Sequence, residues 1–173
     1  RLRALYPAIP VYAVITDIGA SGAYYIASAA DEIYADKASL VGSIGVVASG
    51  FGFVDTLEKL GVERRLYTAG AHKGFLDPFS KEKEEEVEFW ETVLKSTHKQ
   101  FIDKVKEGRG ERLKADESTF SGLIWNGEQA LEYGLIDGLG SSGYVAREIV
   151  GAEEIVDFTP QPDPFDRLTE SLG

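Results

Sequence analysis

The sequence predicts an α/β domain built on a mainly parallel sheet, and three observations carry that expectation. Short β-branched apolar runs alternate with helix-like segments along the whole chain. Glycines punctuate the joins between them. Hydrophobic residues make up 43% and charged residues 27% of the 173 positions, the balance of a globular chain with one sizeable core.

The elements follow in order. Arg1 starts in what reads as the last turn of a helix, broken by Pro7 and Pro10. "VYAVITD" (11–17) is a short apolar strand that delivers the chain to Gly19, and "AYYIASAAD" is a helix of small residues. "EIYAD" and "SLVGSIGVVAS" read as strands around tight glycine turns, and "FVDTLEKLG" as a helix stopped by Gly61. "VERRLYTAG" (62–70) alternates like a strand. The longest helix is expected over 81–106, with Ser80 as N-cap and the stripe Val87, Trp90, Leu94, Phe101 and Val105 on its core face. The charge run "KEKEEEVE" in its first turns reads as a solvated face, not a metal site. "GEQALEY" is a short helix stopped by Gly134, followed by a strand or turn at 135–137. "GYVAREIVG" is a further helix and "EEIVDFT" a last strand. Residues 1–159 are expected to be the C-terminal part of one catalytic domain, and the proline-rich 160–173 an extended arm. The opening reads as mid-domain sequence, so any targeting or membrane segment is expected upstream.

A formal net charge of −11 leaves no basic face to neutralise phosphates, which argues against nucleic acid as a partner. The absence of cysteine excludes disulfides and thiolate catalysis. With only His72 and His98, a zinc site would need carboxylate partners, and no metal or cofactor is expected. No run of about 18 apolar residues suits a membrane span.

Chemistry concentrates at "DIGASGAYYIASAADEI" (17–33). Ser21 stands among Gly19, Ala20, Gly22 and Ala23, where the backbone turns sharply and other groups approach closely. "GASGA" approximates the G-x-S-x-G nucleophile elbow, with alanine in the last place. A serine nucleophile needs a base and donors for the oxyanion, and a helix opening at Ser21 would aim the Gly22 N–H at the developing charge. His98 falls midway along the long helix and reads as a surface residue. His72 and Lys73 share the loop "TAGAHKGFLDP". A lysine serves as base when burial or neighbours lower its pKa, and the bland alternative is an exposed loop lysine. Ala20, Ala23, Val46 and Val47 suit an apolar pocket and suit plain core packing equally.

"ASGAYYIASAADEIYADKASLVGSIGVV", then "YTAGAHKG", then "IWNGEQALEYGLIDGLG" together resemble the signal peptide peptidase A family, the S49 serine peptidases with a Ser/Lys dyad. The resemblance runs from about Val11 to Val156. It implies Ser21 as nucleophile, Lys73 as general base, Ser43 as a second hydroxyl orienting the lysine, and Gly22 as one oxyanion donor. The second glycine of the usual serine motif is Ala23 here, and the family's upstream glycine-rich loop precedes this chain.

The same resemblance implies a ClpP/crotonase-like spiral of ββα units assembled into a homo-oligomeric ring. It implies apolar substrates such as remnant signal peptides. It also implies membrane association through an upstream segment, with the catalytic domain on the periplasmic or outer side. ClpP-like enzymes place a histidine about 25 residues after the serine, and no histidine surrounds position 46. Crotonases have no nucleophilic serine. Three alternatives stay open: another S49 branch, of the SohB or phage capsid-processing type; a serine hydrolase or esterase using His72; and a silent assembly domain in which the small residues serve only helix packing.

Overall fold

A computed structural model describes residues 7–114, 116–152 and 154–159. The chain divides into two compact units, one up to Ser141 and one from Ser142.

In the first unit the apolar runs pair as expected. β1 (Tyr12–Ile15), β3 (Glu32–Ala35) and β6 (Gly138–Leu139) form a parallel sheet in the order β1-β3-β6. β2 (Ile18–Ala20) and β4 (Leu40–Gly42) run parallel in a second sheet, and β5 (Ile124–Asn126) pairs antiparallel with β4. The two sheets with their helices make a mixed α/β architecture. Alternation sorts the second sheet's faces: Gly19 and Val41 are buried, whereas Ile18, Leu40 and Ile124 lie on the exposed side.

Helices cover the other core surfaces. α1 (Gly22–Ala27) follows β2 directly, and α2 (Val54–Leu60) ends at Gly61 in the left-handed conformation, φ 67. α3 (Glu84–Arg109) buries Phe101 and Val105 and half-buries Val87, Trp90 and Leu94, so the expected stripe is the observed one. Short 3-10 turns at Gly110–Arg112 and Glu117–Phe120 lead to β5, and α4 (Gly127–Glu132) opens on a capping box from Asn126 to Gln129. Tyr24, Ile33, Val41, Ile44, Val105, Leu135 and Ile136 form the centre of the core.

One ion pair lies inside it. Arg109 is 1% exposed and grips Asp137 with two hydrogen bonds of 2.7 and 2.9 Å, while its Nε donates to the Gly134 carbonyl. Arg112 adds a bond of 3.0 Å, and the Ile33 N–H donates to the same carboxylate.

Several expectations are corrected. α3 begins at Glu84 with Lys83 at the cap; the Ser80 hydroxyl is taken by the Asp77 carboxylate at 2.8 Å, so it cannot cap. Glu86, in the charge run read as solvated, is 6% exposed. Residues 62–70 and the described part of 153–159 form no strand, because alternation makes a strand only where a sheet edge accepts its hydrogen bonds. The strand near 135–137 forms one step later, at Gly138–Leu139. "SLVGSIGVVAS" is a strand only as far as Gly42, after which Ser43 turns the backbone.

In the second unit α5 (Ser142–Tyr144) continues as π-type turns over Val145–Val150 and stops at Gly151, φ 76. The opening turn at Arg1 and the arm 160–173 lie outside the described residues.

Candidate active site

Strand, turn and helix meet at Ser21. Its φ of 53 with ψ −123 is a conformation that residues with a side chain rarely hold, at a cost on the order of 1–3 kcal/mol. The turn is tied down from both sides: the Ser21 N–H donates to the Gly42 carbonyl at 2.8 Å, and its carbonyl accepts from the Tyr25 N–H at 2.9 Å. The hydroxyl does not cap the helix and stands exposed. A serine kept only to cap or pack α1 needs neither the strain nor the exposure.

Ser43 repeats the pattern at the end of β4. Its φ is 51, its N–H donates to the Leu123 carbonyl at 2.8 Å, and its carbonyl accepts from Gly45 at 2.9 Å. Leu76 is the third side-chain residue with positive φ among the described residues. Beyond Ser43, Ile44 is fully buried, and its carbonyl accepts from His98 Nε2 at 3.0 Å; a carbonyl only accepts, so that nitrogen carries the proton. His98 is therefore half-buried and occupied, not the surface residue expected.

Ser21, Gly22 and Ser43 line one cleft of about 650 Å³. Tyr25 and Phe101, packed edge to face with centroids 5.1 Å apart, line it together with Thr97 and Gln100 of α3. Gly45 and Gly122 also line it, so near each other that a Cβ on Gly45 would lie 2.9 Å from the Gly122 Cα. Val46 and Val47 line the cleft and are exposed, which places them in a pocket wall and not in the core. At Gly22 an added Cβ would meet nothing within 4 Å. As the first residue of α1, Gly22 also presents an N–H with no acceptor inside the helix.

The cleft lining contains no charged side chain and no histidine. Lys73 stands exposed in a run of turns closed by hydrogen bonds from Lys73 N–H to Gly70, Phe75 N–H to His72 and Asp77 N–H to Gly74. That loop docks on the first turns of α3, where Phe75 packs edge-on against Phe89 and Trp90 at 5.9 and 5.7 Å. Trp90 precedes Gln100 by ten residues, about 15 Å along a helix. Within one chain the structure thus brings Ser21, Ser43 and Gly22 together and leaves Lys73 and His72 outside their cleft. Sequence reasoning missed the α3 wall, Ser121–Gly122 and Glu86. The helical stripe at Phe101 was the signal for the wall.

A strained, exposed serine on a strand-to-helix turn fits an acyl-transfer nucleophile. The model of peptidase family S49 matches residues 3–155. The chain belongs to peptidase family S49. The S49 chain is 35% identical over 151 residues to a putative signal peptide peptidase SppA of Enterococcus faecium, 87% of the chain and 44% of that protein. It is 36% identical over 128 residues to the probable protease SohB of Buchnera aphidicola, 74% of the chain and 38% of that protein. It is 50% identical over 141 residues to a Brucella abortus protein named Na(+)/H(+) antiporter NhaA, covering 82% of the chain but only 19% of that protein. The S49 chain spans between about a fifth and about half the length of these relatives. Among its described residues, no helix is long and apolar enough to cross a membrane.

Proposed function

We propose that this chain is the nucleophile-bearing part of a serine endopeptidase that cleaves apolar peptides, remnant signal peptides among them, through a Ser21/Lys73 dyad. The observation that carries the reading is Ser21 itself, strained at φ 53, exposed in a cleft and not spent on capping the helix behind it.

Neutral Lys73 takes the Ser21 proton as Oγ attacks the peptide carbonyl, giving a tetrahedral oxyanion that accepts from the Gly22 N–H. The lysine ammonium returns that proton to the leaving amine as the C–N bond breaks, leaving an ester on Ser21. Water, deprotonated by the same amine, then attacks the ester carbon, and the ammonium returns the proton to Ser21 Oγ as the acyl–oxygen bond breaks, releasing the acid. Ser43 holds the amine in line. The aromatic and valine walls supply apolar contact for substrate side chains.

Lys73 lies outside the cleft of its own chain, so the complete site is read as one formed between copies in a homo-oligomeric ring of ClpP/crotonase-like spirals. Membrane attachment is assigned to a segment upstream, with the catalytic domain on the periplasmic or outer side.

The test is hydrolysis of an apolar fluorogenic peptide by the full protein. Ser21→Ala and Lys73→Ala should each lower turnover by about 10⁴-fold or more while the fold persists. Co-assembling the two inactive variants should restore a measurable share of activity, because some interfaces then hold one intact serine and one intact lysine. Full turnover by Ser21→Ala would end the proposal.

A further inference from the structure

His98 is a histidine for which the mechanism above has no use. It lies within α3, half-buried, next to Thr97 and close before Gln100 and Phe101, which line the serine cleft. Its own ring faces elsewhere: Nε2 donates to the Ile44 carbonyl at 3.0 Å, across 54 positions of sequence. Ile44 is 0% exposed, so its carbonyl oxygen has no water to turn to. A buried acceptor that loses its donor is left with the full cost of its desolvation, and that cost drives the backbone around it to move.

The backbone in question is a tight one. The Ile44–Gly45 peptide unit is held at both ends, its carbonyl by His98 and its N–H by the Ser43 carbonyl at 2.9 Å. A bond from the third residue back to the first closes a three-residue turn, with Ile44 at its centre and Ser43 at its start. Ser43 holds a φ of 51, and strain of that kind persists only where the surroundings over-determine it. Before the turn, the Ser43 N–H donates to the Leu123 carbonyl at 2.8 Å, and the Gly42 carbonyl accepts from the Ser21 N–H at 2.8 Å. These bonds are all backbone to backbone. The bond from His98 is a side chain's, and it fastens the turn to α3.

We propose that His98 is the positioning residue for the Ser43 hydroxyl: by holding the Ile44 carbonyl it fixes the turn 43–45 on α3 and keeps Ser43 in its place in the Ser21 cleft. The inference rests on the role given to Ser43 above. His98 touches neither substrate nor the reacting atoms, because Nε2–H is spent on Ile44 and no histidine lines the cleft. Glutamine can set an amide N–H close to where the imidazole N–H stands, whereas alanine leaves the Ile44 carbonyl unpaired.

The experiment compares His98→Ala and His98→Gln in the full protein, each with Ser43 intact and as Ser43→Ala, on the apolar fluorogenic peptide. With Ser43 present, His98→Ala should lower kcat by up to about 100-fold at nearly constant KM, the scale of a misplaced group. The loss should not exceed that of Ser43→Ala alone, since a misplaced hydroxyl is at worst an absent one. His98→Gln should recover most of it. In the Ser43→Ala background, His98→Ala should change the residual rate no further. Hydrogen exchange at the Gly45 amide should quicken in His98→Ala and stay near the parent rate in His98→Gln, which reads the turn without turnover.

Equal losses from His98→Ala in both backgrounds would mean a general structural role and overturn the proposal. So would parental kcat in His98→Ala while Ser43→Ala is impaired, or a Gly45 exchange rate that ignores the alanine. A His98→Gln variant as inactive as His98→Ala, with Gly45 exchange at the parent rate, would make the histidine a chemical participant and overturn it too. If Ser43→Ala keeps full turnover while Ser21→Ala is inactive, the role of Ser43 falls first and the positioning role falls with it. Should His98→Ala not fold, His98→Phe, which keeps a ring and removes the donor, should show the same kcat loss and the same faster exchange.

Discussion

At the scale of single residues, Gly22 separates what the fold needs from what the cleft needs. A methyl group there meets no atom within 4 Å, so nothing in the folded chain resists it, and alanine stiffens the first turn of α1. Gly22→Ala should therefore stabilise the protein by about 0.4–1 kcal/mol in denaturant melts. Gly22 also lines the Ser21 cleft, so under the proposed mechanism the same methyl narrows it and peptide turnover should fall. A variant that gains stability and keeps full activity would remove Gly22 from the site. Ser21 was legible in the sequence because its neighbours are so small. Its φ of 53 was not, since a local pattern of glycines and alanines gives room for a strained turn without requiring one. Glu86 was illegible for a different reason: a glutamate beside two others in a first turn reads as solvated, and nothing local in the sequence marks it as the buried one.

At the scale of elements, α1 and α3 approach with no room between them. A Cβ on Gly108, near the end of α3, would collide with the Ser28 carbonyl oxygen that closes α1. Gly108→Ala should cost about 1–3 kcal/mol by thermal or denaturant unfolding, although alanine favours an isolated helix. Loss of peptidase activity should follow only as far as the folded fraction falls. Helix periodicity located α3 and its buried stripe well, because the period belongs to the element alone. The alternating segment at 62–70 misled for the complementary reason: a strand is half of a pair, and alternation says nothing about who the other half is. The cap at Ser80 failed through local competition, with Asp77 three residues earlier taking the hydroxyl.

At the scale of the whole first unit, the Arg109–Asp137 pair ties the end of α3 to β3 and to the segment after α4. Burial pushes the Asp137 carboxyl up, but the hydrogen bonds from Arg109 and the Ile33 N–H outweigh it and hold the group below the ordinary aspartate range. An unfolded aspartate titrates near about 3.9. The pair's contribution is therefore fully present above that pH and is lost as pH falls through the lower folded value. Unfolding free energy measured from pH 7 downward should hold its Asp137-dependent part to about pH 4 and then decline. Asp137→Ala should cost about 3–5 kcal/mol at neutral pH, because Arg109 would stay buried without its counter-charge, and that difference should shrink in acid. The α/β class and the strand-to-helix turn at Ser21 were readable in advance. This internal ion pair was not, because its members lie 28 positions apart and look like ordinary surface charges.

The hydrogen bond from Ser21 to the Gly42 carbonyl has an engineering consequence. Ser43 is the residue that follows Gly42, so the two hydroxyls hang from a single short bracket of backbone, while Thr97, Gln100 and Phe101 belong to a separate helix. Redesigning the helix wall should change which side chains the cleft admits and leave the spacing of the serines alone. Selectivity and reactivity are then separate dials: libraries aimed at new substrates belong at positions 97, 100 and 101, and the stretch from Gly42 to Gly45 is best left untouched.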